Sequence, residues 1–342
     1  DVCSSDLLKN DNNFGNGVEF SDLRIGAKVA YQNWDMKLEI GYTGNKATIK
    51  DAFATYTYKN HSIQVGQFYE PFSLEMMCST FDIRFNQSPG AVLALTNGRR
   101  MGITYSYRNK RHYMSGGAFM DNEVNNLKKA SHGYALDGRV VYRPVLDSKK
   151  LIHIGFAANY RTPNESLNEE DKNIFIYKSP GVSTIDNRNI AMATIDHAAY
   201  QIKFGTELLV YYHRFCLQSE YIRTHVERDN AFKNYVAQGA YLQCSWLLSG
   251  ETYLYDESIA CAGRPEGKSL EVCSRFNYLT LNDEDAAIWG GEQKDISIGL
   301  NYYINKYIGI KLNYSYLMPG ANIKEISRKN FSVFQGRFQF IF

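Results

Sequence analysis

The last twelve residues of the chain, 331–342 (FSVFQGRFQFIF), are apolar on one side and polar on the other. Phe338 and Phe340 alternate with Arg337 and Gln339. Successive side chains of a β-strand point to opposite faces, so a strand of this kind separates two different surroundings. The alternation recurs along most of the 342 residues, and no helical pattern supplies a cover for the apolar faces. The pattern predicts strands with lipid on one side and water on the other.

Five upstream stretches show the same alternation clearly. One such stretch is weak evidence, because any half-buried strand of a soluble protein alternates. Polar faces that carry Lys37, Glu207 or Arg275 are unusually charged for a soluble sheet, so the set favours a membrane barrel. The five stretches are residues 34–42, 200–210, 270–278, 295–302 and 308–316.

The composition excludes two other classes of protein. No apolar run approaches the ~18 residues that a transmembrane helix needs, so a helical membrane protein is excluded. A chain with 14% aromatic residues, 26 Tyr and a mean hydropathy of -0.39 fits a barrel, whose strands alternate and whose aromatic girdles lie at the bilayer surfaces. The formal charge is only +2 and no segment concentrates the basic residues, which argues against nucleic acid as a partner.

The alternation gives fifteen strands in one domain that spans residues 1–342. Single-chain bacterial barrels have an even number of strands, so we expect Asp1–Lys9 to supply part of a sixteenth, truncated strand. The predicted fold class is therefore all-β: a transmembrane antiparallel up-and-down β-barrel of about sixteen strands in the outer membrane of a Gram-negative bacterium. The sequence begins without Met, a charged region or an apolar region, so we expect a signal peptide to have been removed or lost.

The connections predict which end of the barrel is which. Tight turns are predicted at 32–33, 60–61, 109–110 and 305–307, mostly on the side of the chain terminus, with long connections opposite. A barrel of about sixteen strands leaves an aqueous channel. Residues 70–98 form a long and unusually apolar connection, and we expect this connection to fold inward as a constriction loop. Burial of the connection between protomers is the alternative.

The interior predicted by the alternation carries mixed charge, with Arg24, Lys37, Glu39 and Glu207 among its residues. Neighbouring opposite charges on such a wall usually form a solvated network of ion pairs. We expect the filter at Arg84, Arg99 and Arg100, because the two latter residues stand where the 70–98 connection rejoins the wall and one of them must face inward. The remaining basic candidates for the pore lining lie elsewhere on the wall: Arg139, Arg143, Lys203, Arg275, Lys311 and Arg337. Of these, Lys311 and Arg337 are expected to lie in the open channel.

Four ordered motifs make the chain resemble the phosphate-selective porin O and P family of outer-membrane channels, from about residue 17 to residue 342. They are residues 66–75 (GQFYEPFSLE), 98–103 (GRRMGI), 246–251 (WLLSGE) and 300–303 (LNYY). The resemblance implies a sixteen-stranded trimeric channel with inward-folded loops and a basic interior that favours anions. Residues 81–86 (FDIRFN) depart from the acidic and basic pair expected there, and the family's arginine ladder cannot be placed. Phosphate selectivity therefore does not carry over.

Enzyme signatures are missing from the sequence. The seven His show no metal-ligand spacing, and there is no nucleophile elbow, P-loop or dinucleotide fingerprint, so we expect no catalysis, no cofactor and no metal. Six Cys permit disulfides in an oxidising compartment. The alternation places Cys216 inward and Cys244 outward, which favours free thiols.

The sequence thus predicts a porin for passive diffusion of small hydrophilic solutes, with a weak preference for anions and phosphate as one candidate. Expected partners are outer-membrane lipid, two further copies of the chain in a homotrimer, and small anions or other small hydrophilic solutes. Docking of an outer-membrane lipoprotein is left open. The alternative function is a plugged structural barrel that anchors a multi-protein complex.

Overall fold

The computed structural model describes residues 2–6, 16–43, 46–121, 132–164, 173–185, 188–229, 231–320 and 329–341, without the side chains of 2–6 and 43. Strands dominate this part of the chain, because alternating β-branched and aromatic residues favour extended backbone. No helix among the described residues is long and apolar enough to cross a membrane.

Twenty-one strands and two short helices make up the described secondary structure. The first half of the chain contains β1 (Val2–Asp6), β2 (Gly17–Phe20), β3 (Leu23–Tyr31), β4 (Trp34–Thr43), β5 (Lys46–Tyr58), β6 (His61–Tyr69), α1 (Leu74–Met77), α2 (Gly90–Leu95), β7 (Arg99–Arg108), β8 (His112–Met120), β9 (Tyr134–Asp147) and β10 (Lys150–Arg161). The second half contains β11 (Phe175–Ser179), β12 (Ala191–Ile195), β13 (Ala198–Tyr212), β14 (Phe215–Arg228), β15 (Tyr235–Ser249), β16 (Tyr253–Asp256), β17 (Cys261–Pro265), β18 (Ser269–Asp283), β19 (Ile288–Tyr303), β20 (Ile308–Pro319) and β21 (Phe331–Phe340).

Seventeen of these strands form one antiparallel sheet in which sequence neighbours pair. β1 pairs with β21 on one side and with β2 on the other, so it joins the last strand to the start of the chain. β2 and β3 are two parts of one extended segment, separated only by Ser21 and Asp22. Counted as one strand, they bring the number of strands in the sheet to sixteen. The predicted antiparallel barrel of about sixteen strands is confirmed. β11–β12 and β16–β17 form separate two-stranded sheets.

The two faces of the sheet have opposite character, as the alternation predicts. Ile310 lies opposite Phe338 on the outer face, and the next pair, Lys311 opposite Arg337, lies on the inner face. Phe338 is 49% exposed, whereas Lys311 is 0% exposed. A belt of exposed Leu, Ile, Val, Phe and Tyr therefore surrounds the barrel and suits contact with lipid hydrocarbon.

The connections divide between two ends of the barrel. At the end where β21 finishes, six connections are short turns, and Gln32, Lys59 and His213 take the left-handed backbone (φ of 54°, 54° and 52°) that tight hairpins need. We call this the turn end and the opposite end the loop end. The predicted division is confirmed for the short turns at this end, with two departures. The long connection 250–268, with the hairpin β16–β17, also begins at the turn end, and the connections from β4 to β5 and from β18 to β19 at the loop end are short.

In the described part of the chain, three insertions pack inside the sheet. The lumenal segment (residues 70–98, with α1 and α2) and the loop-end hairpin (β11–β12) come from the loop end, whereas the turn-end hairpin (β16–β17) comes from the other end. Phe72 and Leu95 of the lumenal segment share an apolar cluster with Tyr177 of the loop-end hairpin, and Leu74 shares another with Cys261 of the turn-end hairpin. The apolar residues of segment 70–98 are thus buried by packing within the barrel.

Candidate functional site: the barrel interior

The inner face of the barrel has a covered wall and an accessible wall. The covered wall consists of the inner faces of β8–β10, β13–β15 and β18–β21, whose polar residues lie beneath the three insertions. The accessible wall consists of the inner faces of β3–β7. On the covered wall even long cationic side chains are buried: Arg139 0%, Arg143 1%, Lys203 2%, Arg275 3%, Lys311 0% and Arg337 5% exposed.

Cations of the covered wall hold the lumenal segment by its backbone. Lys311 Nζ donates to the carbonyl oxygens of Phe81 (3.2 Å) and Ile83 (2.5 Å). Arg337 donates to the Asn86 carbonyl at 2.6 Å. In the same way, Arg275 donates to the carbonyl of residue 87 at 2.8 Å. Their charge-assisted hydrogen bonds therefore anchor the segment.

The expectation that Lys311 and Arg337 lie in the open channel is wrong. Alternation correctly places both side chains on the inner face, but the lumenal segment lies over that face and excludes water from it. The two cations are also register partners on adjacent strands. Like charges so placed repel each other, and the carbonyl oxygens of the segment offset that repulsion.

The start of α1 is bound by a carboxylate of the covered wall. The backbone N–H groups of Leu74 and Glu75 donate to Glu220 at 3.0 and 2.8 Å, and Ser73 caps the helix. Gln218 donates to the Glu75 carboxylate at 2.7 Å. Burial raises the pKa of Glu75 above its ordinary value, although Arg275 and Arg84 oppose the shift. The segment therefore carries a carboxyl whose ionised form is disfavoured where it lies.

Arg84 lies at the junction between the lumenal segment, the turn-end hairpin and the covered wall. Its guanidinium donates to the Gly263 carbonyl at 2.8 Å, lies over the Tyr253 ring at 5.1 Å, and is 3.6 Å from the Glu271 carboxylate. Its side chain is 1% exposed. Arg264 of the hairpin lies over the Phe81 ring at 4.6 Å. The geometry therefore makes Arg84 a clamp between insertions that come from opposite ends of the barrel.

Two further predicted residues bind backbone on the covered wall. Arg139 forms a forked pair with Glu207 at 2.9 and 2.8 Å and donates to the Ile259 and Ala260 carbonyls, at 2.7 and 2.8 Å, beside the turn-end hairpin. Arg143 donates to the Asn109 carbonyl at 2.5 Å. Both side chains therefore secure chain segments.

A second ionic network lies where the lumenal segment leaves and rejoins the wall. Arg161 forms ion pairs with Glu70 and with Asp121. Arg100 also pairs with Asp121, at 3.1 Å, and its side chain is 22% exposed. Lys203 reaches the same place and donates at 3.1 Å to Asn97, which in turn donates to Glu70 at 2.7 Å. These contacts fix both ends of the segment.

The accessible wall carries a network of ion pairs in which, among the described residues, Arg24, Lys37 and Arg99 alternate with Asp22, Glu39 and Asp51. Arg24 pairs with Asp22 (2.5 Å) and Glu39 (3.0 Å), and Lys37 pairs with Glu39 (3.0 Å) and with Asp51 (2.6 Å). Arg99 completes the network with Asp51 at 2.5 Å and Glu39 at 4.0 Å. Their side chains keep contact with water: Arg24 22%, Lys37 31% and Arg99 12% exposed.

The network reaches the lumenal segment at Thr80. The Thr80 hydroxyl donates to Asp22 at 2.9 Å and accepts from Arg24 at 3.3 Å. The accessible wall and the edge of the segment therefore face each other across this contact. The alternation placed Arg24 and Lys37 inside the barrel but gave no reason to rank them above other cations, since exposure carries no sequence signal.

The described residues contain no group of three or more His, Cys, Asp or Glu that could hold a metal ion. Within the same residues the thiols of Cys78, Cys216, Cys244, Cys261 and Cys273 are free. Cys216 lies opposite Ser245 and Cys244 lies opposite Leu217, so the two are on opposite faces of the hairpin as predicted.

An antiparallel barrel with an apolar belt, a polar interior and inward-folded insertions defines the porin class of outer-membrane proteins. The model of the family Phosphate-selective porin O and P matches residues 1–342. The chain therefore belongs to that family, and the protein is a porin of the Gram-negative outer membrane rather than an enzyme.

Relatives by sequence are distant. The chain is 26% identical over 330 residues to an uncharacterized protein of Caulobacter vibrioides, covering 90% of this chain and 64% of that protein. It is 22% identical over 327 residues to Porin O of Pseudomonas aeruginosa, covering 84% of this chain and 73% of Porin O. The chain thus spans about two thirds to three quarters of the length of these relatives.

Solved structures share the fold at low identity. The anion-selective porin from Comamonas acidovorans matches with a TM-score of 0.61 and 12% identity, covering 100% of this chain and 97% of that one. The trimer form of OmpT from Vibrio cholerae matches with a TM-score of 0.61 and 8% identity, covering 98% and 96%. At such identities the likeness shows the barrel fold alone.

Proposed function

We propose that the protein lets small hydrophilic solutes diffuse between the lumenal segment and the accessible wall, with a weak preference for anions. The observation that carries this proposal is the contrast in exposure: Lys37 is 31% exposed on the accessible wall, whereas Lys311 is 0% exposed on the covered wall. Among the described residues, water therefore reaches the cations of the accessible wall and not those of the covered wall. The lumenal segment, residues 70–98, acts as the constriction in this proposal.

The charges of the accessible wall support a weak selectivity. Arg24, Lys37 and Arg99 are offset by three carboxylates within ion-pair distance, so the net field is small. Low-dielectric walls focus the remaining field where the passage narrows. Arg99 and Arg100, which flank the point where the segment rejoins the wall, are the predicted filter residues that keep contact with water, whereas Arg84 acts through its hold on the segment. The names of the family and of the Comamonas porin agree with an anion preference.

Planar-bilayer recording of the purified protein tests the proposal. We expect discrete conductance steps and a reversal potential, under a KCl gradient, that indicates slightly more chloride than potassium flux. The covered wall also favours a second candidate, a plugged barrel that anchors other outer-membrane components such as a lipoprotein. A protein that inserts but gives no steps supports the plugged barrel and contradicts the channel.

We propose that three copies assemble through the outer faces of β5, β6 and β8. Ala52 and Ala54 lie on the outer face of β5 opposite Leu38 and Met36, and Gly116 and Ala118 lie exposed on β8. Such small side chains give poor contact with lipid, so they suit contact with protein, and identical copies close a ring. Cross-linking in native membranes is expected to give a trimer; monomer alone contradicts the assembly.

A further inference from the structure

A cleft opens on the outside of the barrel at the turn end. Its volume is about 680 Å³, and it lies where the turns after β9 and β13 approach each other. The His213 N–H donates to the Lys149 carbonyl at 2.7 Å, which ties the two turns together. The residues that carry the argument are Lys149, Tyr212, Arg214, Phe215, Trp246 and Glu251.

The cleft is apolar on the barrel side and charged on the turn side. Tyr212 and Trp246 are 59% and 54% exposed on the outer face, and the Trp246 ring stands edge-on to Phe215 at 6.4 Å between centroids. Aromatic residues of this kind mark the level where hydrocarbon meets headgroups. The apolar part of the cleft therefore faces acyl chains, and its charged part faces the headgroup layer.

The cations of the cleft are positioned for a phosphate. Arg214 is exposed, and no ion pair within the described residues involves it. Lys149 pairs with Glu251 at 3.4 Å, and Lys150 lies over the Tyr212 ring at 5.4 Å. A guanidinium binds a phosphate through forked hydrogen bonds. The acids near these cations are Glu251 and Asp147, and Asp147 accepts from the Ser148 N–H at 2.6 Å.

The neighbouring turns share this charge. The residues between strands in the six short turns, all within the described part of the chain, include six Lys or Arg and no Asp or Glu. Lys59 lies over Tyr58 at 5.3 Å and Lys306 over Tyr307 at 4.9 Å. The six short turns are therefore basic, whereas the long connection 250–268 at the same end carries Glu251, Asp256, Glu257 and Glu266 and interrupts the ring. Basic turns beside an aromatic girdle attract anionic lipid headgroups. Short turns of outer-membrane barrels face the periplasm, so this ring lies at the inner leaflet.

We propose that the cleft binds an anionic phospholipid of the inner leaflet, with the headgroup phosphate on Arg214 and Lys149 and an acyl chain along Tyr212 and Trp246. The site rests on the orientation of the barrel and does not depend on whether the channel conducts. The bound lipid bridges the turns after β9 and β13.

Native mass spectrometry of the detergent-purified protein tests the site, with phosphatidylglycerol or phosphatidylcholine added. The wild-type protein is expected to retain about fivefold more phosphatidylglycerol than phosphatidylcholine, and Arg214→Glu to lower that retention about tenfold. Trp246→Ala is expected to lower retention of both lipids. Glu251→Gln is expected to raise retention of phosphatidylglycerol about threefold, because it removes the acid that competes for Lys149.

The matched control is Lys110→Glu, which reverses an exposed turn cation outside the cleft, and heat-dependent gel migration confirms that each variant is folded. Equal retention of the two lipids by the wild-type protein overturns the proposal. An equal loss in Lys110→Glu and Arg214→Glu also overturns it, because the ring would then act as a diffuse field. Displacement of the lipid by excess inorganic phosphate would assign the cleft to free anions instead.

Discussion

The covered and accessible walls both carry inward-facing cations, but the cations have different partners on the two walls. On the accessible wall Arg24, Lys37 and Arg99 pair with carboxylates and keep contact with water. On the covered wall Lys311 and Arg337 donate to backbone carbonyls of the lumenal segment. The difference teaches that an inward-facing cation of a barrel lines the passage only where no insertion lies over it; elsewhere it holds the insertion.

Loss of the Arg84 clamp is expected to have the largest effect. Arg84→Met leaves the buried Glu271 carboxylate without its cation, which costs about 3–5 kcal/mol and should release the lumenal segment. We expect larger and noisier conductance steps and faster proteolysis within residues 70–98, measured by single-channel recording and limited digestion. The matched control, Arg84→Met with Glu271→Gln, should recover part of the loss. Unchanged conductance in Arg84→Met would show that the segment is held elsewhere and would break the distinction between the walls.

Charge reversal on the accessible wall is expected to have the next largest effect. Arg99→Glu places a third carboxylate beside Asp51 and Glu39, so the reversal potential should move toward cation selectivity. The shift should be several times larger at 0.01 M than at 1 M salt, because the screening length falls from about 30 to 3 Å. Lys311→Met serves as the covered-wall control and should change selectivity little. Arg99→Glu removes two units of charge and Lys311→Met removes one, so a Lys311→Met shift about half as large would mean that the whole interior acts as one field.

Neutralising Glu75 is expected to have the smallest effect, a change in thermal stability. It tests how the lumenal segment packs on the covered wall. Because burial raises the pKa of Glu75, its ionised form opposes packing of the segment, and this opposition grows as pH rises through the folded-state pKa. Glu75→Gln should therefore raise the thermal midpoint at pH 8 by about 2 °C. The gain should vanish below the ordinary pKa of 4.5, where both states are protonated. A thermal midpoint that falls at pH 8 would contradict the inference that burial disfavours the ionised form of Glu75.

The barrel could be predicted from the sequence because alternation is a local property of each strand. Phe338 and Arg337 take opposite faces for the reason that neighbouring residues of any strand do. The division of the second strand of the barrel into β2 and β3 was not predicted.

The use of each interior residue could not be predicted, because it depends on contacts between distant parts of the chain. Lys311 binds carbonyls 228 and 230 residues away, and a carbonyl acceptor leaves no trace in the sequence. The turn-end hairpin was missed because its residues alternate weakly and because connections at that end of the barrel are expected to be short. Arg99 and Arg100 were expected to face opposite sides, yet each pairs with a carboxylate, Asp51 and Asp121, because alternation is not yet regular where β7 begins.

The clamp at Arg84 joins insertions that reach the interior from opposite ends, and this has a consequence for the order of assembly. The turn-end hairpin belongs to a connection that stays on the periplasmic side, so it can fold before the strands cross the bilayer. The lumenal segment belongs to a connection that must be carried across first. The bond from Arg84 to the Gly263 carbonyl can therefore form only after translocation. Formation of this hydrogen bond would mark a fully assembled channel. In a precursor stalled in the membrane, protease added from the periplasmic side would still cleave the turn-end hairpin.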